Sequence, residues 1–114
     1  MDEFKKERTE INMGILYDIQ KQAEQFTLEN RMVQCTEEMA ELTQAFCKYQ
    51  RIKSKDKTCK TKEPTVMYSI TEEIADVEIC LEQIKHLLGE EKQNQIEQIK
   101  QEKYKRTERR LIQE

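Results

Sequence analysis

Only three residues in this chain of 114 belong to the two types that most often interrupt regular secondary structure: Gly14, Pro64 and Gly89. A sheet of many short strands needs a turn between each pair of strands, so this scarcity argues against one. It favours a few long helices instead. We therefore predict an all-α fold in which one helix ends at Gly89 and another begins soon after Pro64.

Apolar residues recur at helical spacing in three segments of the chain. The predicted helices cover residues 3–25, residues 28–52 with Thr27 as the cap, and the stretch from soon after Pro64 to residue 88. A fourth, less hydrophobic helix is predicted over residues 90–113. Residues 53–65 have no apolar periodicity and contain five lysines, which indicates an exposed, mobile connection.

The chain is long enough for one domain, and its composition makes the core of that domain thin. Apolar residues make up 36% of the chain and charged residues 38%. Helices this polar bury only narrow faces, which they share within the chain or with another copy of it. We expect one domain over residues 1–114, with its core at 28–88, built as a helical bundle of about four helices. Its central pair is antiparallel, and a homodimer or homotetramer completes it.

The formal charge of −3 is mild, and neither end of the chain carries a long apolar run. We therefore expect a soluble, cytoplasmic protein without membrane contact. Its four cysteines include no C-x-x-C pair of the kind that binds zinc, and we expect Cys47 and Cys80 to be small core residues. His86 is the single histidine, which excludes any site that needs two.

One acidic heptapeptide occurs twice, as TEEMAEL at residues 36–42 and as TEEIADV at residues 71–77. In a projection at about 100° per residue, the apolar stripe of each helix includes the second glutamate of its copy, Glu38 or Glu73. The two helices therefore carry a carboxylate at the same place in their apolar faces.

The other acids of the repeat divide into two kinds. Glu41 and Asp76 lie at the edge of a stripe, about −60° from the glutamate inside it, whereas Glu37 and Glu72 lie at about −100° and should face water. If the helices pack antiparallel, the two acids inside the stripes and the two at their edges meet. An ionised carboxylate in an apolar face costs several kcal/mol unless something compensates for its lost hydration. The economical compensation is one hard divalent cation, or a pair of them, bound by carboxylate oxygens.

The simplest alternative is that E-x-x-E is a common pattern on exposed helices and forms no site. Two copies in matching phase inside apolar faces argue against it. Other carboxylate sites fit less well, because an EF-hand needs a glycine-containing loop of oxygen ligands and a helical di-iron site needs Glu-x-x-His pairs. The sequence contains neither.

E-x-x-E on one helix, followed after a variable connection by E-x-x-D on the next, resembles the signature of a known family. The family is that of the all-α nucleoside triphosphate pyrophosphohydrolases, the MazG-like group, which also includes dimeric dUTPases and phosphoribosyl-ATP pyrophosphohydrolases. The residues that carry the resemblance are EEMAEL with the following Ala45, and EEIADV with the apolar run after it, within about residues 28–88.

The resemblance implies a helical bundle completed by a second subunit, and an enzyme that splits a nucleoside triphosphate into the monophosphate and pyrophosphate. It also implies that the matching acids, Glu38, Glu41, Glu73 and Asp76, bind Mg²⁺, for which Mn²⁺ can substitute. We expect Glu38 or Glu41 to act in addition as the base that accepts a proton from the attacking water. The sequence does not separate ligand from base.

Phosphate binding usually needs cations beyond the metal. Lys48 lies on the same side of its helix as Glu41, so we expect it to contact phosphate, with an ordinary solvated lysine as the alternative. Lys103, Arg106 and Arg110 are spaced to line one side of the last helix and resemble a basic K-x-x-R segment of some MazG-like proteins. Favourable charge near the end of a solvated helix explains them about as well.

Two other functions stay open at this stage. In the first, the chain is a nucleotide- or metal-binding module that has lost its activity. In the second, it is a helical interaction protein without catalysis. The second of these assigns no role to the four acids and would bind nucleic acid through its basic segments. We do not expect nucleic acid as a partner, because the acidic repeat is then unexplained.

Overall fold

The computed structural model describes residues 2–113, with all of their side chains except those of residues 4 and 7–11. Four helices account for nearly all of this range, which contains no strand. They are α1 (Glu3–Ala23), α2 (Leu28–Lys53), α3 (Glu63–Leu88) and α4 (Glu90–Gln113). The predicted all-α helical bundle is confirmed.

The connection between α2 and α3 is shorter than the sequence predicts. It covers residues 54–62, because α3 begins at Glu63 with Pro64 in its first turn. Proline is tolerated there, since the first N–H groups of a helix have no partner within the helix. Lys53 Nζ lies 2.6 Å from Glu63 Oε1 and so joins the two ends of the connection.

The other helix ends lie close to their predicted positions. Thr27 caps α2 as expected, since its Oγ1 accepts a hydrogen bond from the N–H of Asn30 at 3.1 Å. The first helix ends at Ala23, two residues before the predicted position. Gly89 separates α3 from α4 with φ +95° and ψ 167°, a backbone conformation essentially confined to glycine.

Helices α2 and α3 form the antiparallel central pair that the sequence predicts. Arg31, near the start of α2, donates from Nη1 to Gln83 Oε1 at 3.0 Å near the end of α3. At the opposite end of the pair, the end of α2 meets the start of α3 through Lys53 and Glu63. Residue numbers therefore rise along one helix as they fall along the other.

Helix α1 packs against α3 and runs in the same direction. Gln83 is only 1% exposed, and its Nε2 donates to Ile19 O at 3.4 Å and to Gln22 Oε1 at 3.2 Å. Further along both helices, His86 Nε2 lies 3.1 Å from Glu24 Oε1. Because Gln83 also accepts from α2, one buried amide joins three helices, and its polar atoms are satisfied by those bonds.

The core is thin, as the composition predicts. Its buried apolar residues are Ala23, Cys35, Ala45, Val66, Val77 and Cys80. The prediction for Cys80 is confirmed, but the one for Cys47 is wrong, because Cys47 is exposed. Cys47 lies at about 180° from Glu38 in the projection of α2, so it points away from α3. Cys35 takes the buried position instead.

Large apolar side chains that stay exposed form two rows with a spacing of seven residues. They are Met32, Met39 and Phe46 on α2, and Met67, Ile74, Leu81 and Leu88 on α3, each between 37% and 45% exposed. We call these side chains the apolar face, since projection of both helices puts the two rows on one side of the α2–α3 pair. A repeat of seven is the spacing with which helices pack against further helices.

Helix α4 contacts the rest of the fold through its first half. Ile96 and Lys100 face α3 across a groove, whereas residues 101–113 are exposed throughout. None of the helices within residues 2–113 combines the length and apolar character needed to cross a membrane.

Candidate metal centre

Three of the four predicted acids come together between α2 and α3. One carboxylate oxygen from each of Glu38, Glu73 and Asp76 lies within 4.8 Å of the other two. All three side chains are half-buried. We call these residues the acid cluster. The antiparallel pairing brings the two E-x-x-acid motifs face to face, as the helical projection predicts.

Two oxygens of the acid cluster are buried without a partner. Glu38 Oε1 accepts a hydrogen bond from Gln34 Nε2 at 2.8 Å, one turn earlier on α2. Glu38 Oε2 and Glu73 Oε2, however, are buried and accept no hydrogen bond from any described residue. A buried charged oxygen without a partner is costly, so both atoms are suited to bind a cation.

The protonation of Glu73 reflects the crowding of negative charge at this point. Desolvation of its carboxyl group, followed by the charge of Glu41 and a hydrogen bond with it, raises the pKa of Glu73 to about 7. Asp76 and Glu38 contribute in the same direction. From Lys21 onwards, no lysine or arginine of the described chain forms an ion pair with the acid cluster. A bound cation or a proton would supply the missing counter-charge.

Two buried cysteines lie beside the acid cluster. Burial, and then the nearby Glu38, raises the pKa of the Cys35 thiol. Burial also raises the pKa of Cys80, with further contributions from Cys35 and Glu38. Both thiols therefore stay protonated and are poor metal ligands. The available donors are carboxylate oxygens, which suit Mg²⁺ or Mn²⁺ rather than a thiolate-binding metal.

Glu41, the fourth predicted acid, differs from its counterpart Asp76. The sequence places both at the edge of an apolar stripe, but Asp76 is half-buried and Glu41 is exposed. The edge of α2 that carries Glu41 opens onto a pocket, which Asp76 does not line. Glu41 still lies close enough to Glu73 to share a hydrogen bond when one of the two is protonated. It is therefore a neighbour of the acid cluster rather than a member.

The leading acids of the two motifs face solvent. Glu37 and Glu72 are both exposed, as the projection predicts, although each is adjacent in sequence to a residue of the acid cluster. The one-residue difference rotates each side chain by about 100° around its helix. These two residues are matched controls for the buried acids.

A polar pocket of about 350 Å³ adjoins the acid cluster, with Glu41 and Glu73 at its border. Its other polar lining residues are Gln44, Lys48, Thr61, Thr65 and Ser69. We call these five residues the hydroxyl pocket. Lys48 thus lies beside the acids, where the sequence predicts it. The larger cavity, about 630 Å³ between α3 and α4, is lined by side chains such as Leu81, Ile84 and Leu88, and by none of the four acids.

The three basic residues predicted on the last helix are not brought to the acid cluster. Lys103, Arg106 and Arg110 are exposed on the part of α4 that extends beyond its contact with α3. None of them forms an ion pair with an acid of the described chain. Their role in substrate binding stays a prediction.

Sequence reasoning missed Gln34 and four of the five residues of the hydroxyl pocket. Gln34 has a detectable signal, since it precedes Glu38 by four residues and such pairs are neighbours on a helix. The hydroxyl residues on α3 have the phase of the acid cluster, but single threonines and serines on a helix carry no chemical signal of their own. Comparison of the chain with models of protein families, with curated proteins and with solved structures finds no match.

Proposed function

We propose that this chain is a magnesium-dependent nucleoside triphosphate pyrophosphohydrolase of the cytoplasm. It would hydrolyse a ribo- or deoxynucleoside triphosphate to the monophosphate and pyrophosphate. The observation that carries the proposal is the acid cluster, in which two buried oxygens, on Glu38 and Glu73, accept no hydrogen bond. The resemblance of the two acidic motifs to the MazG-like signature adds the substrate class.

Glu38, Glu73 and Asp76 would hold the cation. Their oxygens are hard donors on two helices that face each other, and Gln34 fixes the Glu38 carboxylate by its hydrogen bond. A bound divalent cation supplies charge neutralisation for the phosphates and Lewis acidity at the reacting phosphorus. The three carboxylates would position the triphosphate through that cation and keep the reacting phosphate beside α2.

Glu41 is suited to be the general base. It borders the acid cluster and the hydroxyl pocket, yet it is exposed and outside the set of three oxygens. A base must reach the water that attacks phosphorus, accept its proton and release it to solvent. Glu41 meets these conditions better than Glu38, whose oxygens are bonded to Gln34 or buried. The water would approach from the pocket side.

The functional unit would be a homodimer or a homotetramer. The apolar face holds side chains seven residues apart on two antiparallel helices, and they stay 37% to 45% exposed in a single chain. Packing this face against the same face of a second chain would make a bundle of four helices with the usual spacing of buried side chains. A symmetric pair of like faces is the commonest arrangement in soluble oligomers.

The test is a hydrolysis assay with a panel of ribo- and deoxynucleoside triphosphates, in Mg²⁺ and in chelator, that follows pyrophosphate release. We expect release that needs the cation and is lost in Glu38→Gln and Asp76→Asn. Glu37→Gln is the matched control and should keep its activity. Circular dichroism shows whether each variant keeps its helices.

The same assay separates the alternatives. Nucleotide binding without pyrophosphate release would favour an inactive binding module. Hydrolysis by the chain that persists unchanged in Glu38→Gln and Asp76→Asn would exclude the acid cluster as the site. If neither binding nor hydrolysis occurs and the substitutions only stabilise the fold, the chain is a helical interaction protein.

A further inference from the structure

The hydroxyl pocket has a composition that indicates which part of a triphosphate it takes. Its polar side chains are one lysine, one amide and three hydroxyls, and none of its lining residues is aromatic. A nucleobase is commonly bound by stacking on an aromatic ring, which this pocket does not offer. A lysine and several hydroxyl donors, in contrast, suit the oxygens of phosphate.

Basic residues also lie in the chain segment that closes one side of the pocket. The connection that provides Thr61 carries four exposed lysines: Lys55, Lys57, Lys60 and Lys62. It is held to α2 at the pocket, where Cys59 Sγ contacts Lys48 O at 3.9 Å. A cluster of lysines near a cleft raises the local concentration of anions.

We propose that the hydroxyl pocket binds the terminal two phosphates of the substrate, which leave as pyrophosphate, while the nucleoside lies outside it. The proposal rests on the proposed function for the identity of the substrate. Lys48 pairs with a terminal phosphate oxygen, and the hydroxyls of Thr65 and Ser69, one turn apart on α3, donate to the bridging region. Gln44 and Thr61 close the pocket from α2 and from the connection.

This placement makes anion binding depend on the cation. Glu41 and Glu73 border the pocket and repel a phosphate when they are ionised. The acid cluster would hold a cation that offsets this repulsion and favours phosphate binding. Pyrophosphate should therefore bind in Mg²⁺ and not in chelator. The pocket has no comparable requirement for any particular base, so base preference should be set elsewhere.

The test is calorimetric titration of the full chain with inorganic pyrophosphate in Mg²⁺ and in chelator. We expect Mg²⁺-dependent binding that weakens about tenfold or more in Lys48→Gln and in the double variant Thr65→Val with Ser69→Ala, because hydrogen bonds to charged groups are lost. Thr71→Val and Lys92→Gln are matched controls on exposed positions outside the pocket, and both should bind as the unmodified chain does.

A second titration, with nucleoside monophosphates in Mg²⁺, shows which end of the substrate the pocket takes. The pocket variants should leave monophosphate affinity unchanged. Weaker monophosphate binding with unchanged pyrophosphate binding would overturn the placement, as would a lack of pyrophosphate binding by the unmodified chain. If the chain hydrolyses triphosphates but the pocket variants bind pyrophosphate as the unmodified chain does, the role of the pocket is refuted and the enzymatic function is not. Pyrophosphate binding that depends on the pocket, without any hydrolysis, refutes only the enzyme.

Discussion

The two sides of the α2–α3 pair use the same helical periodicity for opposite chemistry. On one side, α2 presents Glu41, Gln44 and Lys48 to a polar pocket. On the other, the apolar face runs along both helices with Met39 and Phe46 on α2. The acid cluster lies at the seam between these two sides, where it is half-buried by both helices.

The difference shows how a thin helical pair can hold buried charge. The seam excludes enough water to leave two carboxylate oxygens without partners, yet the pocket side leaves an open approach for a cation and its ligand. Packing of the apolar face against a second chain, as proposed, would leave that approach open. The site is both desolvated and accessible because one side of the α2–α3 pair is apolar and the other is an open polar pocket.

The division between seam and surface acids is tested most severely by changing an acid of the seam and its solvent-facing neighbour in turn. We expect Glu73→Gln to lower the rate of triphosphate hydrolysis by about 10³-fold, because one ligand of the cation is lost. Glu72→Gln should change the rate by less than about twofold, since exposed substitutions away from a site have small effects. Initial rates of pyrophosphate release at saturating Mg²⁺ measure both.

Thermal unfolding of the same two variants controls for loss of the fold. Without metal, Glu73→Gln should be at least as stable as the unmodified chain at pH 8, because it removes repulsion with Glu41, Glu38 and Asp76. Equal losses of activity in the two variants would contradict the division into seam and surface acids.

The apolar side is tested by placing a charge on it. Phe46→Glu puts a carboxylate into the proposed interface between chains and should raise the dissociation constant of the oligomer about 100-fold, since an unpaired buried charge costs several kcal/mol. Val33→Glu is the matched control, because Val33 is 62% exposed on α2 and lies outside the apolar face. Sedimentation velocity over a range of protein concentrations measures both. A monomeric unmodified chain would refute the interface.

The fold was predictable because the signals for it are local. Thr27 caps α2 and Gly89 ends α3, each through its own backbone or side-chain chemistry. Two boundaries differ from the prediction: α1 ends two residues early, at Ala23, and α3 begins at Glu63 rather than after Pro64, since proline is tolerated in the first turn of a helix. The prediction that Cys47 is buried is wrong because it rests on the apolar character of cysteine and not on the position of Cys47 around the helix.

The site was predictable in part. The phase of each helix identified Glu38 and Glu73 as the inner acids, and the antiparallel pairing brought them together. The same phase could not distinguish Glu41 from Asp76, although Glu41 is exposed at the border of the pocket and Asp76 is half-buried. The hydroxyl pocket could not be predicted from the sequence, since it forms only where α2, the connection and α3 meet.

A milder substitution tests the acid cluster without removing any of its carboxylates. Gln34→Leu deletes the amide that donates to Glu38 Oε1 at 2.8 Å. We expect the affinity for Mn²⁺, which replaces Mg²⁺ in this measurement, to fall about tenfold, because residues that orient a ligand tune metal affinity. Gln50→Leu, an exposed glutamine later on α2, is the control. Titration with Mn²⁺ followed by electron paramagnetic resonance measures binding directly, and an unchanged affinity would show that Glu38 needs no orientation.

The smallest effect expected is a dependence of stability on pH that arises in the seam. The pKa of Glu73 is about 7 in the fold, against an ordinary value of 4.5 in the unfolded chain, so the folded state holds more protons between these values. Its contribution to stability is complete below pH 4.5 and is lost as the pH rises through 7. The melting temperature of the metal-free chain, measured by circular dichroism, should therefore fall between pH 5.5 and pH 8 because of this group.

Two variants and a metal control check this origin. The slope of melting temperature against pH should be shallower in Glu73→Gln and unchanged in Glu72→Gln. Excess Mg²⁺ should restore stability at pH 8, where the carboxylate is free to bind it. Identical slopes in the unmodified chain and in Glu73→Gln would show that the raised pKa does not arise at this residue.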